Sequence, residues 1–301
     1  MYDELKGGLR NLMKQTGKSQ KQISKEIGIS SATVSQFLNG TYTGNNEEIS
    51  KRVEQYLTVE KDRLNKVNDE VFYTELHNTK SVLFACGIAH NKNLITLVCG
   101  EAGAGKTTAL NYYVQQNSSS IMVTANSCTK TATSILGLIC QELHVRAPMK
   151  KAVRMDIIVK RLKDTNRLLI IDEADHLNID ALQAVRNIND MAGIGIVLAG
   201  NNKIYLQMKS PRTGGVFDQI RTRIVIRKYM DNIFTVEEMK NMFPELDSTG
   251  IGIMIRIAEA ESLRKAKQLY EIANEYANIK GIPLSAQTLR SVQEQMIGDV
   301  I

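Results

Sequence analysis

Cysteine, histidine and long apolar runs are all scarce in this chain. Its four cysteines (Cys86, Cys99, Cys128, Cys140) and four histidines (His77, His90, His144, His176) are scattered through 301 residues. No two cysteines stand in C-x-x-C spacing. They read as small core residues in a reducing compartment, not as a zinc site or a disulfide set. No apolar run approaches the roughly 20 residues that cross a bilayer. The opening Met1-Tyr2-Asp3-Glu4-Leu5 is acidic and has no apolar signal-peptide core. These absences lead to the expectation of a cytoplasmic protein without membrane contact. The length suggests two or three domains.

Acidic residues are missing locally. Between Asn201 and Met230, Lys203, Lys209, Arg212, Arg221, Arg223, Arg227 and Lys228 face only Asp218. A second basic stretch holds Arg146, Lys150, Lys151, Arg154, Lys160, Arg161, Lys163 and Arg167, whereas the last seventy residues are net acidic. Positive blocks inside a chain of net charge +6 suggest a polyanionic partner. A solvated face is the alternative, above all for the second stretch.

What is present is organised around Gly100-Glu101-Ala102-Gly103-Ala104-Gly105-Lys106-Thr107-Thr108. This G-x-x-x-x-G-K-T run follows an apolar strand-like segment, Leu94–Cys99, and opens a helix-like one. In that setting the pattern is a phosphate-binding loop. Gly100, Gly103 and Gly105 let the backbone wrap an anion and aim its N–H groups inward. Lys106 reaches the outer phosphates, the Thr107 hydroxyl holds Mg²⁺, and Thr108 stands in the first helical turn with its positive dipole end. ATP or GTP is the expected ligand.

Downstream, strands and helices alternate. The apolar runs Ile121–Thr124, Leu168–Asp172, Ile194–Asn201 and Arg223–Arg227 imply a parallel sheet covered on both faces. Asp172 ends a buried strand beside the phosphate loop, which suits a Mg²⁺ ligand; Glu173 suits orientation of the attacking water. Asn201, at the end of the fourth strand, is a candidate to bond the γ-phosphate or that water, with a turn-forming asparagine as the alternative. Arg223 is the candidate to reach a neighbouring subunit's nucleotide, with Arg221 its rival.

The first sixty residues read as helices. Leu5, Leu9, Leu12 and Met13 form an apolar stripe. Ser19 and Gln22 form a capping box, and Gly28 and Gly40 suit left-handed helix ends. Two short helices joined by a Gly-containing turn are the helix-turn-helix signature, here of the phage-repressor type. The second helix presents Thr33 and Gln36 among its polar residues to DNA, but no Arg or Lys. The charged stretch 58–70 reads as a linker.

The order of phosphate loop, Asp172-Glu173, Asn201 and Thr222-Arg223-Ile224, followed by a helical region, resembles AAA+ ATPases of the initiator clade. That resemblance implies three parts: a helix-turn-helix DNA-binding domain over 1–60, a parallel-sheet nucleotide-binding domain over 61–230 and a helical lid over 231–301. In the clade the lid bears a second sensing arginine, and Glu261-Ser262-Leu263-Arg264-Lys265-Ala266 offers Arg264.

With the repressor-like module in front, nearly the whole chain resembles the phage ATP-dependent target-DNA activators. Lys21-Gln22-Ile23, Thr33-Val34-Ser35, Val98-Cys99-Gly100, Ile170-Ile171-Asp172-Glu173-Ala174-Asp175-His176-Leu177 and Gly200-Asn201 carry the likeness. The resemblance implies an ATPase using ATP and Mg²⁺ that assembles into helical filaments on double-stranded DNA in a bacterial host's cytoplasm. Such filaments deliver the DNA to a DDE transposase and stimulate transposition. By position it also implies DNA contact by Lys150 and Lys151, and by Thr129 and Lys130 after the second strand. A nucleotide-switched transcription regulator and a replication helicase loader are the competing expectations.

Overall fold

The computed structural model describes residues 2–68, 74–209 and 214–297. It divides into two compact units, Met1–Phe72 and Tyr73–Ile301. No helix among the described residues is long and apolar enough to cross a membrane.

The first unit contains α1 (Tyr2–Thr16), α2 (Gln20–Ile27), α3 (Ser31–Asn39) and α4 (Asn46–Asn68). Each break has a local chemical cause. Ser19 and Gln22 close a reciprocal capping box at the start of α2, worth about 1 kcal/mol. Gly28 ends α2 at φ 76° and Gly40 ends α3 at φ 74°, backbone settings that favour glycine. Leu9, Leu12, Ile23, Val34, Phe37 and Val53 pack into one core. The stretch 58–70, read from the sequence as a linker, is helical as far as Asn68, because α4 continues through it; residues 69 and 70 lie outside the described residues. Its Glu, Lys, Arg and Leu side chains have good helix propensity, and propensity outweighs the weak apolar periodicity.

The second unit opens with α5 (His77–Lys92), β1 (Ile95–Gly100), α6 (Lys106–Gln116), β2 (Ser120–Thr124), α7 (Ala132–Glu142) and α8 (Lys151–Leu162). It continues with β3 (Leu168–Asp172), α9 (Ile179–Ala192), β4 (Gly195–Asn201), α10 (Lys203–Lys209), α11 (Gly214–Arg221) and β5 (Ile224–Met230). The strands form one sheet in the order β2-β3-β4-β1-β5, with every pairing parallel. Parallel strands share one carboxyl edge, so Gly100, Asp172, Asn201 and Met230 emerge on the same side.

Side chains alternate between faces along each strand. Leu97 and Cys99 of β1 join Ile135, Leu136, Ile139, Ile158, Leu162 and Ile188 in a core with α7, α8 and α9. Each such fully buried Leu or Ile contributes about 1.5–3 kcal/mol. Thr96, on the other face, donates to the Ala85 carbonyl of α5 at 3.2 Å. Helices therefore cover both faces, which explains why the central strands read as continuous apolar runs.

The chain ends in four helices, α12 (Val236–Met242), α13 (Ser248–Ala260), α14 (Leu263–Lys280) and α15 (Ala286–Ile297). They bury Met239, Phe243, Ile251, Met254, Ile257, Leu269 and Leu289 in a core of their own. Glu238 anchors this cluster to α5, because its carboxylate accepts the His77 N–H at 2.7 Å. Burial alone raises the Glu238 pKa, but hydrogen bonds from His77 and Thr235 outweigh it and draw it down to about 2.

The positive block over 201–230 is dispersed among local partners. Arg221 pairs with Asp218 at 2.8 Å and Arg223 with Asp190 at 3.4 Å. Arg227 lies 3.6 Å from the Tyr205 ring centroid, and Lys228 lies 4.9 Å from that of Phe84. Arg212 falls outside the described residues. Cys86, Cys99 and Cys140 are buried as expected, but Cys128 is exposed in the turn after β2.

Candidate nucleotide site and DNA-facing surface

The loop between β1 and α6 is shaped by its glycines. Gly100, Gly103 and Gly105 have φ of 154°, 75° and 90°, values that L side chains rarely adopt. Space forbids a side chain as well. A Cβ on Gly100 would stand 2.0 Å from the Met230 carbonyl oxygen, and one on Gly103 would stand 2.5 Å from the Ser262 Cβ. The loop is thus gripped by the end of β5 on one side and the start of α14 on the other. Arg264, the second residue of α14 and exposed, is brought beside the loop by the same contact, since its Cβ would lie 3.4 Å from a Cβ on Gly103.

Lys106 curls back, donating from Nζ to the carbonyls of Gly100 at 3.1 Å and Glu101 at 2.6 Å. Burial lowers its pKa below the usual lysine value, opposed by the carboxylates of Glu173, Asp172 and Asp175. Thr107 Oγ1 donates to Asp172 Oδ2 at 2.8 Å, and Asp172 is only 1% exposed. A hydroxyl and a carboxylate side by side at a helix N-terminus are hard oxygen donors next to an anion cradle, which fits Mg²⁺ beside bound phosphates. Thr108 is exposed one residue further along α6.

Glu173 has φ 54°, a left-handed setting that costs a non-glycine residue on the order of 1 kcal/mol. Its N–H donates to Asp172 Oδ1 at 2.9 Å. Its carboxylate lies within 4.8 Å of ligand atoms of Asp175 and His176, just past the end of β3. Asn201 donates its N–H to Asp175 Oδ1 at 2.8 Å, and its side-chain oxygen accepts the Lys203 N–H at 3.2 Å. The side-chain oxygen thus makes the turn into α10, and the amide NH₂ is the group on hand for an acceptor.

Arg223 lies at the opposite edge of the sheet. Ile224 starts β5 opposite Ile95, and Met230 ends it opposite Gly100, a separation of about 20 Å at strand rise. Arg223 therefore does not share a site with its own phosphate loop.

The DNA candidates fall on two surfaces. Lys150 and Lys151, both exposed, cap and open α8. Arg154 joins that end of α8 to the start of α7, donating to the carbonyls of Pro148 and Thr133. Exposed Lys130 immediately precedes the Thr131 cap of α7, and its carbonyl accepts the Asn178 N–H at the cap of α9. Three helix N-termini and three lysines thus sit at one end of this face. Thr129 Oγ1, in contrast, is engaged within its own turn, accepting the Asn126 N–H at 2.8 Å. In the first unit Gln36 is exposed on α3, while the half-buried Thr33 hydroxyl bonds Ser30 Oγ at 2.8 Å.

Over 234 residues the chain is 31% identical to the ATP-dependent target DNA activator B of Escherichia phage Mu, covering 75% of this chain and 73% of that protein. The chain belongs to the family of that activator. The activator B of Escherichia phage D108 is 30% identical over the same shares. The Mu-like prophage FluMu DNA transposition protein B of Haemophilus influenzae is 31% identical over 192 residues, 64% of this chain and 67% of that one. Residues 89–208 match the AAA domain family and residues 9–64 the helix-turn-helix family. The chain is accordingly an AAA ATPase with a helix-turn-helix module, and a nucleotide is its ligand.

Sequence reasoning missed three polar residues around the loop. Asn78 and Asn232, 2% and 4% exposed, donate to loop carbonyls, and Ser262 packs against Gly103. All three lie far from the loop in sequence; the two asparagines belong to no motif, and Ser262 stands in the Glu261–Ala266 stretch that offers Arg264. Neither asparagine carries a local signal, since Asn78 stands between His77 and Thr79 and Asn232 between Asp231 and Ile233.

Proposed function

We propose that this chain is an ATP-dependent, largely non-sequence-specific DNA-binding ATPase. In this reading it assembles into helical filaments on target DNA, delivers that DNA to a DDE transposase and stimulates transposition. The observation that carries the reading is the separation of Arg223 from its own phosphate loop, which an arginine serving a neighbour's site requires. In this reading residues 1–60 serve DNA, 61–230 hold the nucleotide and 231–301 form the lid.

ATP supplies the phosphoanhydride bond, and Mg²⁺ supplies positive charge at its phosphates. Thr107 and Asp172 would hold the metal, and the N–H groups of the loop would cradle the phosphates. Lys106 turns from the loop carbonyls toward the outer phosphate. Glu173 orients the attacking water and draws off its proton, and Asn201 fixes that water or the γ-phosphate through its amide NH₂. Arg264 reports the γ-phosphate to the lid. Arg223 of a neighbour stabilises the charge that develops on transfer, a contribution of about 10³–10⁵ in rate.

Mixing tests the shared site. Arg223→Ala and Lys106→Ala are each expected to be inactive alone, whereas their mixture recovers part of the DNA-stimulated phosphate release. If no mixing ratio recovers activity, the arginine does not act across subunits. Arg221→Ala is expected to retain turnover, because two hydrogen bonds to Asp218 hold that side chain on its own helix, whereas Arg223 meets Asp190 only through a longer ion pair of 3.4 Å.

DNA contact is assigned first to Lys150, Lys151 and Lys130, with Thr129 contributing backbone geometry and Thr33 and Gln36 acting from α3. Non-specific affinity is mainly phosphate neutralisation. Lys150→Ala and Lys151→Ala are each expected to flatten the slope of log affinity against log salt by about 0.9. A slope equal to that of the wild type would return these lysines to a solvated face.

A further inference from the structure

We infer that Asn232 is a positioning residue that presets the phosphate loop for its anion and ties that setting to the lid helix α14. The inference rests on the nucleotide-binding reading of the loop and adds a means by which loop and lid report to each other.

Asn232 follows β5 in the connection to α12. Its Nδ2 donates to the Ala102 carbonyl at 3.3 Å and to Glu101 Oε2 at 3.1 Å, while its Oδ1 accepts the Leu263 N–H at 3.5 Å. Asn78, from the first turn of α5, donates to the Ala104 carbonyl at 3.4 Å and to the Asp231 carbonyl at 2.8 Å. In a trans peptide the C=O and the following N–H point in opposite directions. Holding the Ala102 and Ala104 carbonyls on the outer side of the loop therefore turns the Gly103 and Gly105 N–H groups to its inner side.

These two peptides most need such restraint. Each is followed by a glycine of positive φ, and a glycine permits the peptide before it to flip at little steric cost. A flipped plane would present a carbonyl oxygen to the anion in place of an N–H. Two buried amides oppose that flip, and a buried amide that loses its partner leaves an unsatisfied donor.

Asn232 has a second role that Asn78 lacks. Its oxygen receives the N–H of Leu263, the first residue of α14, and the same helix start presses Ser262 against Gly103. Any shift of the Ala102 peptide on anion binding is therefore transmitted through one side chain to the helix that bears Arg264.

The test uses the full chain and a non-hydrolysable ATP analogue. It combines binding affinity with hydrogen–deuterium exchange at the first amides of α14. Asn232→Ala is expected to weaken the analogue about tenfold and to abolish the analogue-dependent change in α14 protection. Asn232→Asp keeps an acceptor for Leu263 but cannot donate to Ala102; it is expected to lose affinity while α14 stays protected. Asn78→Ala is expected to lose affinity with the α14 response intact. Wild-type affinity and wild-type α14 response in a folded Asn232→Ala would overturn the inference. So would a lowered melting temperature in all three variants with unchanged affinity, the pattern of a merely structural role. If Asn232→Ala does not fold, the other two variants decide by the same criteria. Failure of the wild-type chain to bind the analogue, or binding by Lys106→Ala as tight as the wild type, would defeat the nucleotide reading itself.

Discussion

Replacing Lys106 by alanine is expected to lower ATP turnover by about 10²–10³-fold and to remove ATP-dependent retention on DNA. The side chain is the one cation that the loop itself supplies, and its ammonium rests on the carbonyls of Gly100 and Glu101. Those carbonyls hold the charge at the mouth of the loop, so a small rotation of the stem carries it to the outer phosphate. Burial disfavours that charge, and Glu173, Asp172 and Asp175 offset part of the penalty. Alanine removes the cation but leaves the three carboxylates facing the incoming polyphosphate. Phosphate release and ATP-dependent gel retention measure the two consequences. Turnover at the wild-type rate would take the site away from this loop.

Glu173→Gln is expected to separate binding from hydrolysis. Glutamine preserves the shape of the side chain at its left-handed backbone position, but it cannot accept a proton from water. Loss of a positioned general base costs about 10²–10⁴ in rate. The Thr107–Asp172 pair and the glycines are untouched, so ATP and DNA are expected to bind and the complex to persist. Single-turnover kinetics alongside DNA dissociation is the measurement. Release from DNA as fast as the wild type after ATP addition would refute the assigned role.

Much of this site was legible in the sequence because its signals are local. The phosphate loop, the Asp172-Glu173 strand end, the Ser19–Gln22 box and the glycines at 28 and 40 each combine neighbouring residues with one physical requirement. Arg264 was legible only through resemblance, and its place beside Gly103 depends on how the lid packs. The remainder was not legible because it depends on partners distant in the chain. Asn78 and Asn232 meet the loop across 26 and 130 positions. The basic block over 201–230 was legible as charge, but not its local contacts: Arg221 and Arg223 pair with Asp218 and Asp190, and Arg227 and Lys228 lie over the Tyr205 and Phe84 rings. Helices α10 and α11 escaped notice for a related reason, since charge and glycine obscure their short apolar faces. The extension of α4 shows the converse, where propensity held a helix that periodicity did not announce.

Arg223 is the point at which fold and proposed function meet. In the proposed reading, its place at the amino edge of the sheet makes the ATP site the property of two adjoining subunits, so nucleotide and assembly would stand or fall together. Electron microscopy of the chain on random-sequence duplex DNA, with a non-hydrolysable ATP analogue or with ADP, tests this most directly. The account predicts extended helical filaments with the analogue and none with ADP; isolated protomers on DNA in both conditions would contradict it.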